Sequence, residues 1–519
     1  LHAFHCSLFT VHCSLIAAAA LLIATLSACL SSAPPATDVL RIGIEGNPTN
    51  LDPRFAADAY STRIVALVYE GLLTDTPDGG VAPLLAASWT QPDDRTYRFT
   101  LRPDAVWQDG APVTAADVAA TYRFLADPKN ACPAQETFGR VERIETPDDR
   151  TVVLRLNEPY SSFVVRMSQP IVPARLQDPA QLAAEPLGSG PYRLTEFRRG
   201  EKAVLTANEH WRGGAPAIRR LEFCVAANDA TRLLRLTKGE LDMLQNCTPP
   251  YALKFVAQLR GRTVLRAPGV NYSYFGFNLN DPHGIASNPK VRQALAYAID
   301  REQIIRTLLY GQARPATGLL APENWAYEPD VRQYPYDPAR ARQLLDEAGF
   351  PQPAGGGVRF TLSYKTSTDK LRLRIAEVIA NQLAAVGVGF DRRSLEWGAF
   401  FDDIKQGNFQ TYTASWVGVT DPDHLYYAFH SSMVPPRGAN RNRYANADVD
   451  RWLEAARRTS DRDERRRLYG LAQKQLAEDC AYISLWWADN VAVVPEQLHN
   501  FSLRPSGDFR NLAQARLER

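Results

Sequence analysis

One stretch of the chain, Ser415 to Ser432, gathers a tryptophan, two aspartates and two histidines: Trp416, Asp421, Asp423, His424 and His430. An indole can stack on a solute, a carboxylate can pair with a cation, and imidazoles can hold a metal or a metal complex. The plainer reading makes Trp416 a core anchor, Asp421 the cap of a short helix after Pro422, and the histidines loop residues without a function. Catalytic patterns are missing: the chain has no Gly-x-Ser-x-Gly, His-Glu-x-x-His or Rossmann glycine pattern, and His283, His424, His430 and His499 share no helix face. Ala354-Gly355-Gly356-Gly357 follows no strand and carries no Gly-Lys-Ser/Thr, so it is not a phosphate loop. No cysteine pair has zinc-ligand spacing, and neither a structural metal nor a cofactor is expected.

The elements that must position these residues are legible from periodicity. Tyr412, Ala414 and Trp416 alternate with polar residues and then meet Gly418, Asp421 and Pro422, a strand running out into a loop. Val39 to Ile44 is another short strand, opening at Glu45-Gly46-Asn47-Pro48. Ser61 to Leu73 has helical spacing, Tyr97, Phe99 and Leu101 alternate as a half-buried strand, Arg150 to Leu156 is a further strand, and Thr114 to Asp117 opens a helix with a capping box. Two β-α-β units follow, at 221–244 and 360–392, with a strand at Asn271 to Leu279 between them. Asn288-Pro289, Asp300 to Gln303 and Asp337-Pro338 start helices. Helices at Ala447 to Arg458 and Arg462 to Ala477 precede an apolar strand, Tyr482 to Trp487. Two separated β-α-β units imply two α/β lobes with a cleft between them.

Composition is that of an ordinary globular chain: 519 residues, 45% hydrophobic, with a net charge of +2 that offers no case for nucleic acid. The N-terminus departs from it. Leu15 to Leu26 is apolar and ends in Leu26-Ser27-Ala28-Cys29 before a Ser/Pro/Ala-rich tether. It resembles a bacterial lipoprotein signal, with Cys29 lipidated and the body held outside the cytoplasm, although residues 1–14 contain no lysine or arginine. In an oxidising compartment Cys132, Cys224, Cys247 and Cys480 would be either disulfides, with Cys224 and Cys247 as possible neighbours, or buried thiols.

Several ordered motifs then carry a resemblance. They are Asn50-Leu51-Asp52-Pro53, Tyr69-Glu70-Gly71-Leu72-Leu73, Val106-Trp107-Gln108-Asp109-Gly110 with Pro112 to Val118, Gly188-Ser189-Gly190-Pro191-Tyr192, and Val291 to Asp300. Together they make the chain similar to the family 5 solute-binding proteins of ABC importers, the peptide, dipeptide and nickel-binding lipoproteins. The resemblance implies an α/β, two-lobe periplasmic-binding-protein fold of the class II type with a small inserted α+β domain. It divides the chain into a signal (1–29), a tether (30–38), lobe I (39–60, 166–272 and 488–519), an inserted domain (61–165) and lobe II (273–487). It implies a monomer that captures a small solute or short peptide by hinge closure and delivers it to a permease and its ATPase, anchored by lipid to the cell envelope and facing the periplasm or the outside. Asn47, Tyr274, Trp397, Trp416 and Asp421 stand at the positions implied to contact ligand. One departure bears on the ligand: the family's amine-binding aspartate, three residues after the tryptophan, is Val419 here. A sensory or chaperone-like lipoprotein, a metal-complex binder and a secreted hydrolase are the alternative functions.

Overall fold

The computed structural model describes residues 39–518, so the signal, the tether and Cys29 lie outside the described residues. Its backbone is an eleven-stranded mixed sheet together with a separate four-stranded antiparallel sheet. In spatial order ten strands of the large sheet are 388–395, 360–367, 411–416, 262–277, 482–495, 243–245, 39–44, 220–225, 202–207 and 192–198, and 313–315 pairs beside 482–495.

Each end of this sheet is a parallel unit. Val39–Ile44 lies between Arg220–Val225 and Met243–Gln245, parallel to both, and the helix Asp229–Thr237 makes the crossover that parallel strands require. Its even residues, Leu40, Ile42 and Ile44, are buried on one face, and on the other Gly43 leaves room for Leu241 and Leu244. At the far end Phe360–Ser367 and Val388–Leu395 pair in parallel through the helix Lys370–Ala384, which buries Ile375, Ile379 and Leu383. The two ends are joined by two long antiparallel strands, Arg262–Phe277 and Tyr482–Pro495, which run through both halves. Their register breaks between Ala267 and Asn271, where Pro268 and Gly269 interrupt the ladder. A Cβ on Gly269 would lie 2.3 Å from the Ala488 carbonyl, so the two crossing strands approach too closely there for any side chain.

The four-stranded sheet (86–93, 96–101, 141–148 and 151–156) and its helix Ala115–Ala126 share one apolar core with the first strand: Trp107, Tyr97, Phe99, Leu40, Phe223 and Val494 belong to the same cluster. Gln108, fully buried, fastens the junction, donating from Nε2 to the Tyr192 carbonyl (2.7 Å) and accepting at Oε1 from the Gly188 amide (3.2 Å). The other half has its own cores on the two faces of the sheet, one around Tyr274, Tyr412 and Trp487, the other around Phe275, Leu295 and Ile379.

Differences from expectation are local and have physical causes. The first helix is Ala59–Val68 rather than Ser61 to Leu73, because Asp58 caps it from outside and Gly71 presses against the Met167 and Ser168 backbone in a β-bridge region. The capping box at Thr114 forms. At Asp300 only half of one forms: Oδ1 accepts from the Gln303 amide, while the Asp300 amide is met by Gln382 instead. Cys132, Cys224, Cys247 and Cys480 are all buried free thiols; Cys224 and Cys247 share a small cluster without bonding.

Candidate functional site

Strand direction decides where a site can be. The strands 39–44, 220–225 and 243–245 are antiparallel to 482–495, which runs out of the second half, so their C-terminal ends point toward it. The strand 411–416 is antiparallel to 262–277 and parallel to 360–367, so those C-terminal ends point back toward the first half. The loops that follow, at 45–50, 226–229 and 246–250 on one side and at 368–372, 396–401 and 417–423 on the other, face each other across the crossing strands. Ligands of open α/β sheets bind at such facing ends, where backbone groups are not engaged in the ladder.

A cavity of about 320 Å³ lies there, lined from one side by Asn246 and Thr248 and from the other by Asp369, Arg372, Ser273 and Ser415. The wall mixes apolar residues such as Leu309, Ile375 and Val491 with polar groups that are hydrogen-bonded to one another. Ser273 and Ser415 hydroxyls are 2.8 Å apart, and the Gly418 amide donates to Asn271 Oδ1 at 2.9 Å. Asn246 makes a two-way bond with the crossing strand, its Oδ1 accepting from the Val491 amide (2.9 Å) while its Nδ2 donates to Asn490 Oδ1 (2.8 Å). On the first side Arg232, 1% exposed, ties all three strand-end loops together. It donates to the carbonyls of Ala226 (2.6 Å), Ala227 (3.2 Å) and Cys247 (2.8 Å), and pairs with Asp229 at 2.5 Å. Glu45, 3.6 Å from Arg232, is pushed above the ordinary carboxylate range by burial despite the pull of that guanidinium, and Asp229 and Asp369 add to the rise.

The residues singled out in the sequence fall in different places. Trp397 begins the helix Trp397–Gln406, is 47% exposed, stacks on Phe401 and lies under the Arg372 guanidinium, which itself lines the cavity. Trp416 ends its strand at 9% exposure, flanked by His424 and Tyr427, with Arg441 4.7 Å over its ring and its own indole N–H without a partner. Asn47 follows the first strand, and its Oδ1 accepts from the Gly200 amide at 2.8 Å. Tyr274 is fully buried, stacked on Tyr482 at 4.0 Å between ring centres and 3.2 Å from the Tyr412 hydroxyl. Val419 is buried in the core of the second half, whereas Val417 is 57% exposed. The position of the missing aspartate is thus turned inward.

Asp421, 2% exposed, faces the four-stranded sheet's side of the molecule. Its Oδ1 accepts from Ser162 Oγ (3.4 Å) and from the Asp423 amide (3.0 Å). The short helix His424–Phe429 receives no side-chain cap from it; the Asp421 main-chain carbonyl accepts from the His424 amide. His424 Nδ1 lies 3.0 Å from that carbonyl, and His430 is engaged separately by Ser432 and Glu454. Among the described residues no three histidines, cysteines or carboxylates form a metal-sized group. Sequence reading missed Asn246, Asn271, Asp369, Arg372 and Arg441. Asn246, Asp369 and Arg372 sit at a strand end or helix start, Asn271 at the break in its strand and Arg441 in a turn, in segments that only the fold brings together.

The profile of the bacterial extracellular solute-binding proteins, family 5, matches residues 80–434. Protein XP55 of Streptomyces lividans is 32% identical over 91% of this chain and 88% of its own length. The glutathione-binding protein GsiB of Salmonella typhimurium is 30% identical over 91% of this chain and 93% of its own. Among solved structures, the oligopeptide-binding protein AppA of Bacillus subtilis, in complex with a nonapeptide, superposes with a TM-score of 0.79 at 26% identity, covering 93% of this chain and 99% of its own. NikZ of Campylobacter jejuni, in complex with Ni(L-His), gives 0.80 at 26% identity over 92% and 99%.

Proposed function

The chain belongs to the bacterial extracellular solute-binding proteins of family 5, and from that premise we propose that it is the non-catalytic capture component of an ABC importer. It closes two lobes over a small organic solute, a short peptide or a peptide-like compound, and hands the closed form to a membrane permease and its ATPase. Cys29, outside the described residues, carries the lipid anchor, and the body faces the periplasm or the cell exterior. Lobe I comprises 39–60, 166–272 and 488–519, lobe II comprises 273–487, and 61–165 is an insert that moves with lobe I.

The observation that carries this reading is the pair of facing strand ends with a cavity between them, crossed by two strands whose ladder breaks at Pro268-Gly269. Trp397 and Trp416 supply the aromatic surface, with Asn47 shaping the opposite loop. Tyr274 and Asp421 act from behind the wall, one bracing the Tyr412–Arg441 side and the other the loop that follows Trp416. With Val419 buried, an amine pairing at that position is replaced by recognition through Asn246, Asn271, Ser273 and Ser415, which suits a solute rich in amide or carboxyl groups. The known binders among its relatives define a test set: glutathione, the dipeptide Met-Leu, a nonapeptide and a nickel–histidine complex. Native mass spectrometry of protein purified from its own host should show one retained small solute, and calorimetry should give micromolar or tighter binding of that compound or of a member of the set. Protein that retains no solute and binds none of them overturns the reading.

A further inference from the structure

The insert and the second lobe meet away from the cavity through a polar contact, whereas the insert shares an apolar core with the first strand and its neighbours. Tyr160 Oη donates to Asp423 Oδ2 (3.0 Å), Ser161 Oγ to the Ala456 carbonyl (2.9 Å), and Ser162 Oγ to Asp421 Oδ1 (3.4 Å), all buried. Arg465 Nη2 reaches the Ser162 hydroxyl at 3.2 Å. Arg457 lies 3.1 Å from Asp423 Oδ1, an ion pair without hydrogen-bond alignment, with its guanidinium between the rings of Tyr160 and Tyr426. At the edge the Trp325 amide donates to the Asp78 carbonyl, and Gly79 comes so near that a Cβ would lie 2.2 Å from the Thr420 carbonyl.

Two features of this seam matter together. The insert shares its apolar core with the first strand and its neighbours, so it travels with that lobe, while a seam held by hydrogen bonds and ion pairs can part and be solvated at far lower cost than a core. The acceptors on the other side, Asp421 and Asp423, stand on the loop that follows Trp416, and this loop adjoins the cavity wall through the Gly418 amide, which donates to the lining residue Asn271. We propose that Tyr160 and Ser162 are positioning residues for ligand binding: they engage Asp423 and Asp421 only when the lobes close, and so fix the loop 417–423 against the solute without touching it. Burial pushes the Asp423 carboxyl above its ordinary range, with Arg457 pulling the other way, so the closed seam needs its donors in place.

This inference rests on the hinge-closure reading, and one experiment separates the two. Spin labels at Lys238→Cys and Glu377→Cys, both exposed and on opposite lobes, report interlobe distance by double electron–electron resonance; Cys132, Cys224, Cys247 and Cys480, the cysteines among the described residues, are buried. Labelled protein with the native seam should show a short and a long population. Tyr160→Phe and, separately, Ser162→Ala should move the balance toward the long one, for Tyr160→Phe by about tenfold, the worth of one hydrogen bond to a charged group. Their melting temperatures should stay at the parent's value, because an engaged-only-when-closed contact adds nothing to the open form. Two populations that neither variant shifts, or variants that melt early with unchanged populations, overturn the latch and leave closure standing. A single distance in the parent overturns the latch, and one that does not shorten when the retained solute is added overturns closure as well.

Discussion

Trp416 shows how one side chain can answer to two demands. Most of its ring is buried in the second lobe's core, yet its indole N–H is unpaired, its face meets the Arg441 guanidinium, and it stands one residue beyond the lining residue Ser415. Trp416→Ala is expected to cost about 3 kcal/mol or more of folding stability as a large core truncation. It is expected to cost a further ~2 kcal/mol of affinity for the retained solute; denaturant melts and calorimetry on the same preparation read the two separately, and a loss of stability alone would make it core only. His424 makes a different prediction. Burial holds its imidazole below the ordinary value, Arg166 adds to this, and Asp421 opposes it, so the folded state binds the proton less readily than the unfolded chain. The stability this neutral ring contributes is complete above its unfolded pKa of about 6.5 and is lost as pH falls through the lower folded value. Urea midpoints from pH 7.5 to 5 should therefore drop more steeply for the native protein than for His424→Gln, and parallel curves would show that the ring does not titrate between the two states.

At the scale of elements, the crossing strands carry the most specific expectation. Gly269 packs against the Ala488 carbonyl, so Gly269→Ala must push Arg262–Phe277 away from Tyr482–Pro495 where the ladder is already broken. A destabilisation of about 2 kcal/mol is expected in urea denaturation, and a variant as stable as the parent would mean that the crossing can spread freely. The same strands show what a sequence reveals and what it hides. Asn271 to Leu279 and Tyr482 to Trp487 were readable because apolar and aromatic residues alternate there, but each strand continues well beyond, through Pro268-Gly269 and Asp489-Asn490, where polar and breaker residues mask a ladder that tertiary pairing enforces. The β-α-β unit at the second lobe was legible at its strand starts, Phe360 and Val388, and in the apolar face of its helix, but its strands run on to Ser367 and Leu395, past the end of their apolar pattern. The hairpin Tyr192–Arg198 with Lys202–Ala207 and the exposed strand Val141–Asp148 lack such signals and went unread. For the site, the post-strand residues Asn47 and Trp416 could be placed from one segment, whereas Asp369 and Arg372 meet Asn246 only because two distant parallel units face each other.

Over the whole molecule, two bodies with separate apolar cores are joined by a thin, partly broken bridge and a polar seam. In the proposed closure each core holds its own lobe together, so motion is expected in the crossing strands and the seam. Under that division the open and closed forms differ little in free energy, and a solute shifts the balance only by what it gains from touching both lobes at once. Moving a population from 1:99 to 99:1 takes a preference of about 10⁴-fold for the closed form, roughly 5.5 kcal/mol. The polar groups of Asn246 on one side and Ser273 and Ser415 on the other can supply that over several hydrogen bonds, but a solute that reached only one lobe could not. The retained solute is therefore expected to lower the radius of gyration in X-ray scattering and to bind with a negative heat-capacity change as the facing loops lose water. Replacing Asn246 with alanine should reduce both the affinity and the compaction, because it removes the first lobe's share of the contacts; a variant that binds weakly yet compacts fully would show that the closed form is set by the lobes and not by the solute.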